Sequence, residues 1–91
     1  MEKKMTVLEK AARMLDLPTD IVANLPRMEV RGCREVLIEN HRGILEYGNE
    51  EMHINGGGVM LKFKGIGLNI RSMNSDEMII EGQILSIEFV Y

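Results

Sequence analysis

The sequence has no tryptophan, and its aromatic residues, Tyr47, Phe63, Phe89 and Tyr91, make up only 4% of 91 residues. Nothing in it forms a row of rings flanked by basic residues, as stacking on nucleic-acid bases requires. Positive charge is short as well. Eleven Lys and Arg stand against fourteen Asp and Glu, a net charge of −3, which leaves no electrostatic footprint for nucleic acid. A single cysteine, Cys33, excludes an intramolecular disulfide and fits a reducing compartment. Two scattered histidines, His41 and His53, lack the paired-ligand spacing of a metal site. No apolar run approaches the roughly 20 residues that span a bilayer. The opening MEKKMTVLEKAARML has neither the apolar core nor the small-residue cleavage site of a signal peptide. These absences describe a cytoplasmic chain, held at a membrane, if at all, by something else.

Composition allows one soluble domain over residues 1–91, with 45% apolar and 27% charged residues. A chain this short buries only ~60–65% of the surface its unfolded form exposes, so its stability margin is thin. Eight methionines supply the flexible apolar volume that aromatics do not.

The first quarter carries a helical period. Thr6 and Glu9 have the spacing of a capping box, and Leu8, Ala11, Ala12 and Leu15 recur on one face. Pro18 stops that helix and is suited to open a second, with Ile21, Val22 and Leu25 as its stripe before Pro26. From Arg27 the period changes to two. Met28 and Val30, Val36 and Ile38, Met52 and Ile54, then Val59, Leu61 and Phe63 each alternate with polar or less apolar neighbours, and Leu85, Ile87, Phe89 and Tyr91 form the last such face. Glycine and asparagine punctuate this pattern at Gly32, Asn40–Gly43, Gly48-Asn49, Gly56–Gly58, Gly65–Gly67, Asn74–Asp76 and Gly82. A weak repeat adds strands: MEVRG at 28–32 parallels LKFKG at 61–65, VLIEN at 36–40 parallels LNIRS at 68–72, and ILEYG at 44–48 parallels IIEG at 79–82. Two stacked β-units would fit it. The expected fold is mainly β: an N-terminal helical segment over residues 1–25, packed on a small antiparallel domain over 27–91, a meander, sandwich or roll of about seven to eight short strands.

Three consecutive glycines in HINGGGVMLKFKG pose the sharpest chemical question. A phosphate-binding loop sets its glycines between a strand and a helix. Here Val59–Lys64 alternates as a strand, so no helix follows, and no Lys-Ser/Thr pair is present. Asn55-Gly56 reads instead as the centre of a type I′ hairpin turn. Cys33, beside Arg31 and Arg34, has no base and orienting group readable with it. Glu50-Glu51 and Asp76-Glu77 fall at turns, where acidic pairs face solvent. No nucleophile, base and oxyanion donor assemble into a reaction. The expectation is therefore no enzyme, no catalytic residue, no cofactor and no metal. A small ligand-binding or enzymatic domain is the alternative, and a deep pocket joining Cys33, a histidine and a carboxylate would favour it.

Residues 17–91 resemble the YabP/YqfC family of sporulation proteins, and its YqfC branch in particular. The segments that carry the resemblance are LPTDIVANLPRMEVRG, VLIENHRGILEYGNEEMHING and LKFKGIGLNIRSMNSDEMIIEGQILSIEFV, with LIENHRGILEY and the IIEGQI ending the most specific. The triple glycine departs from the family pattern, which is more polar and β-branched there. The resemblance implies a protein of the mother cell, acting in endospore maturation or coat-stage assembly beside a membrane-associated protein partner, peripherally at the forespore outer membrane. It brings no catalytic residues.

The last strand, QILSIEFVY, is where a partner is expected. A terminal strand is often a sheet edge, whose unpaired N–H and C=O groups template another chain. In the simplest register Leu85, Ile87, Phe89 and Tyr91 face the core. Ile84, Ser86, Glu88 and Val90 then present the other face to a partner strand or a second copy.

Overall fold

The computed structural model describes residues 25–91. The helical segment expected ahead of Leu25 lies outside the described residues. Within them are six antiparallel strands in one sheet and no helix. They are β1 (Arg27–Arg31), β2 (Glu35–Glu39), β3 (Ile44–Glu46), β4 (Glu51–Asn55), β5 (Met60–Met73) and β6 (Glu77–Val90), in the order β1-β2-β6-β5-β4-β3. A β1–β2 hairpin thus joins a β3–β6 meander by setting β2 against β6.

Six strands replace the seven or eight expected because two pairs of short strands are each one long strand. Glycines at 65–67 and at 82 do not end strands. They bend them. Across β5 and β6 the register slips three times: Leu85 is an extra residue between the pairs Lys64↔Ser86 and Gly65↔Ile84, Gly67 and Leu68 together oppose Gly82, and Arg71 is extra between Ile70↔Ile80 and Ser72↔Ile79. Each bulge adds local twist and bend. Strand backbones pass so closely at this fold line that a Cβ on Gly82 would lie 2.6 Å from the Gly67 carbonyl oxygen. A Cβ on Gly65 would collide with the Gln83 carbonyl. The repeat does not correspond to stacked units: MEVRG and VLIEN are two strands of a hairpin, whereas LKFKG and LNIRS are successive parts of β5.

Bending turns the core face of the sheet on itself. Val36 and Ile38 of β2, Met52 and Ile54 of β4, Leu61, Phe63 and Leu68 of β5, and Met78 and Ile80 of β6 form one buried cluster. Met28, Val59, Ile70, Ile84 and Ile87 pack against its rim. The period of two places these residues inward until a bulge intervenes. An extra residue moves every later side chain to the opposite face, so β5 changes from Leu61 and Phe63 to Leu68 and Ile70. β6 changes from Met78, Ile80 and Ile84 to Ile87.

The crossover after β2 is bonded both to the β5–β6 turn and to the end of β4. Asn40, with φ of 63°, reverses the chain, and its N–H donates to the Asp76 carbonyl at 2.6 Å. Arg42 N–H donates to Asn55 O, and Asn55 N–H to Gly43 O, which seats β3 beside β4. His41 is the one buried polar residue among those described, 6% exposed. Gly43 N–H donates to its Nδ1 at 3.0 Å, so the ring proton lies at Nε2, which donates to Asn74 O at 2.9 Å. The neutral ring therefore ties the crossover to the β5–β6 turn. The β4–β5 turn is one residue later than expected. Gly56 N–H donates to Val59 O at 2.8 Å, and positive φ falls on Gly57 alone of the three glycines. That is the requirement of the first centre of a II′ turn, not of both centres of a I′ turn. Asn55 contributes its side chain, accepting from Gly57 N–H at 2.9 Å.

Candidate functional site

β6 has two different surroundings along its length. Its first half, Glu77–Glu81, pairs with β2 on one side and β5 on the other. Two further bonds, Gly82 N–H to Arg34 O at 3.0 Å and Ile84 N–H to Cys33 O at 2.9 Å, carry the β2 side as far as the β1–β2 turn. From Leu85 onward only β5 borders the strand among the described residues.

The bonds at the fold line also fix which groups of the second half are unpaired. Gly65 N–H donates to Glu50 O at 2.9 Å, so Gly65 faces away from β6, as its partner Ile84 faces away from β5. Antiparallel ladders alternate hydrogen-bonded and non-hydrogen-bonded pairs. Counting back from Gly65, the pairs Lys64↔Ser86, Lys62↔Glu88 and Met60↔Val90 direct their backbone groups at each other. Phe63↔Ile87 and Leu61↔Phe89 direct theirs outward, those of Phe63 and Leu61 into β4. The N–H and C=O of Ile87 and Phe89 thus lie along the open side of β6 with no partner among the described residues.

Of the four residues expected on a partner face, Ile84 instead packs against the core and spends its N–H on Cys33. Ser86, Glu88 and Val90 stand opposite Lys64, Lys62 and Met60. Their side chains line the sheet face turned from the core, and their amides are directed at β5. Leu85, expected in the core, is 62% exposed because it is the bulge. Phe89 keeps core parity beside Leu61 yet is 54% exposed, and Val90 and Tyr91 are exposed as well. The unpaired groups sequence reasoning missed, at Ile87 and Phe89, follow from the one-residue bulge. The only sequence signal was Gly82, a glycine inside a stretch that otherwise reads as strand.

Protection of this edge is light. Glu88 is the one charged side chain from Ile84 to Tyr91, and Lys64 Nζ lies 3.7 Å from its Oε1 with both groups nearly half exposed. An exposed pair of this kind contributes about 0–1 kcal/mol and does not seal an edge.

The histidines and the cysteine fall elsewhere. Cys33 is exposed in the β1–β2 turn. His41 is fully engaged within the crossover. His53 on β4 bridges two carboxylates, with Nε2 2.7 Å from Glu51 Oε2 and Nδ1 3.0 Å from Glu46 Oε2. The His53 hydrogen bond, helped by Lys62 and Lys64, holds the Glu51 carboxyl below its ordinary range against the opposing effect of desolvation. These three residues offer ligand atoms within 4.8 Å of one another. The two ring nitrogens address different carboxylates, and the register places Lys62 and Lys64 opposite His53 and Glu51. No helix among the described residues is long and apolar enough to cross a membrane.

Residues 24–91 match the YabP family. The chain is also 31% identical to the uncharacterized protein YqfC of Bacillus subtilis (strain 168), across 86% of this chain and 84% of that protein. No solved structure matches it. The chain belongs to the YabP family.

Proposed function

We propose, from that membership and from the open half of β6, that the chain is a non-catalytic adaptor or assembly factor of endospore formation. It acts in the mother cell, in spore maturation or coat-stage assembly. It engages a membrane-associated protein partner by strand addition along Ile87–Phe89, with Leu85, Ser86, Glu88 and Val90 bordering that edge. Main-chain bonds supply the affinity in this mode and alternate side-chain pockets the specificity.

The observation that carries the reading is the backbone of Ile87 and Phe89, which has no partner among the described residues on the side away from β5, set in a segment with one charge. Proline at Phe89 removes an outward-facing N–H and keeps the ladder to β5. An allele carrying Phe89→Pro in a spore-forming host should reproduce the maturation defect of a gene deletion, lose recovery in the membrane fraction and leave the melting temperature nearly unchanged. Normal spores from the Phe89→Pro allele, or from the deletion itself, would sink the reading.

A further inference from the structure

The face of the sheet turned from the core carries charge that changes sign from strand to strand. Glu51 on β4 stands opposite Lys64 on β5, and Lys62 on β5 stands opposite Glu88 on β6. Lys64 Nζ also lies 3.7 Å from Glu88 Oε1. Opposite charges set directly across a ladder stabilise the pairing, and like charges weaken it. On the other side of Glu88 no strand lies alongside among the described residues. The next position in the pattern is basic.

The opposite face of the same segment is apolar. Ile87 packs against the core cluster, and Phe89 is 54% exposed although its register partner Leu61 is fully buried. Beside Phe89 lies an apolar groove of about 270 Å³, lined by Leu25, Pro26, Gly58, Val59, Phe89 and Tyr91, with no charged residue. A strand laid along Ile87–Phe89 sets alternate side chains on the two faces. Those beside Ile87 and Phe89 meet apolar surface and the groove, and the one between them meets Glu88.

We propose that this edge selects a strand of another protein that reads apolar, basic, apolar. Its Lys or Arg stands opposite Glu88, and its apolar residues cover Ile87 and Phe89. This selection rests on the strand-addition reading above and names the chemistry of the partner. A second copy does not meet the requirement. Ile84–Tyr91 contains no Lys or Arg, so β6 laid on β6 places no cation at Glu88 in any register. Pairing confined to Ile87–Phe89 sets Glu88 against Glu88. At the two ends of the sheet, β1 has Glu29 between Met28 and Val30, and β3 reads Ile44, Leu45, Glu46. Glu88 thus admits a basic strand and repels an acidic one, so specificity comes from the rejected partner as well as the accepted one.

Two blocked synthetic peptides, SVTVKVTVS and SVTVEVTVS, differ only in the central charge and serve as probes. Each is titrated into the isotope-labelled full-length chain while the backbone amide shifts are followed. The lysine peptide should move the Ile87 and Phe89 amides and bind at least about threefold more tightly than the glutamate peptide at low salt. That preference should shrink at about 1 M salt, where surface charges are screened. Glu88→Gln should erase it, Glu88→Lys should reverse it, and Phe89→Pro should lose both peptides. Equal affinity of the two peptides for the native chain overturns the selection and leaves strand addition standing. A preference that survives Glu88→Gln overturns it as general attraction to an acidic chain. Shifts confined to β1 or β3, or none from either peptide, overturn it as well. Concentration-dependent shifts at Ile87 and Phe89 without peptide overturn it in favour of a second copy. The spore phenotype of Phe89→Pro does not depend on the sign of a peptide, so failure here and failure of the adaptor reading are separate results.

Discussion

The two halves of β6 are built from similar residues and meet opposite fates. EMIIEG, in the first, has β2 and β5 on its flanks and buries Met78 and Ile80 completely. ILSIEFV, in the second, is at least as apolar, yet Leu85, Phe89 and Val90 are exposed and, among the described residues, only β5 borders its backbone. Apolar content does not distinguish them. What does is whether a second strand lies alongside, and β2 ends its pairing at Glu35↔Glu81.

Substitutions that open the core side should have the largest effect. Ile80→Ala removes buried volume between two bordering strands and should cost about 2–5 kcal/mol in urea unfolding, against under about 1 kcal/mol for Leu85→Ala at the exposed bulge. Equal losses would show that the second half is as enclosed as the first. Gly82→Ala comes next, because it combines a φ of +133° with a Cβ against the Gly67 carbonyl and should lose at least about 1–3 kcal/mol by the same measurement. A neutral outcome would mean that the fold line yields where the two halves join. His41→Ala leaves the Gly43 amide and the Asn74 carbonyl without their bonds and should cost about 1–3 kcal/mol. Its signature is faster hydrogen exchange at Gly43, with Ile80 still protected, and uniform loosening would contradict it.

Proline substitution sharpens the contrast at the backbone. Ile80→Pro falls where strands border both sides and should abolish cooperative unfolding. Phe89→Pro takes an unpaired N–H and should shift the melting temperature by only a few degrees, since proline is accepted at sheet edges. Val90→Pro, whose N–H is directed at Met60, should be worse than Phe89→Pro. The reverse order would mean that the ladder phase is inverted. The smallest effect lies on the ladder beyond β5. Glu51 has a folded pKa held below its unfolded value, chiefly by the His53 hydrogen bond. Its contribution is therefore complete above the unfolded value and fades as pH falls through the folded one. Glu51→Gln should flatten the acid side of the stability profile slightly. An unchanged profile would show that the bridge is fully screened by solvent.

Strand positions were legible. Each alternating stretch from Met28 to Phe89 is strand, because the period of two reports a half-buried pleat whatever its neighbours. The candidate edge was legible only as a segment. QILSIEFVY did carry the backbone with no partner among the described residues, yet of the residues offered from its parity Ile84 gives its N–H to Cys33 and Ser86, Glu88 and Val90 turn their amides to β5. Gly65–Gly67 and Gly82 read as turns because glycine marks a turn, a bulge and a close backbone approach in the same way. Only the crossing of β5 and β6, where any Cβ would meet a carbonyl, separates these meanings.

Local chemistry, then, settled what is local. Side-chain alternation, the Asn-Gly signals and the family pattern are properties of neighbours in sequence, and they determined that residues 27–90 form strands, roughly where each lies, and to which family the chain belongs. Which face each residue took beyond a bend, and which strand was left with a free side, were decided by tertiary structure. A one-residue bulge reverses every later side chain without altering composition, and an edge is defined by the strand that is not beside it, which no segment records in its own sequence.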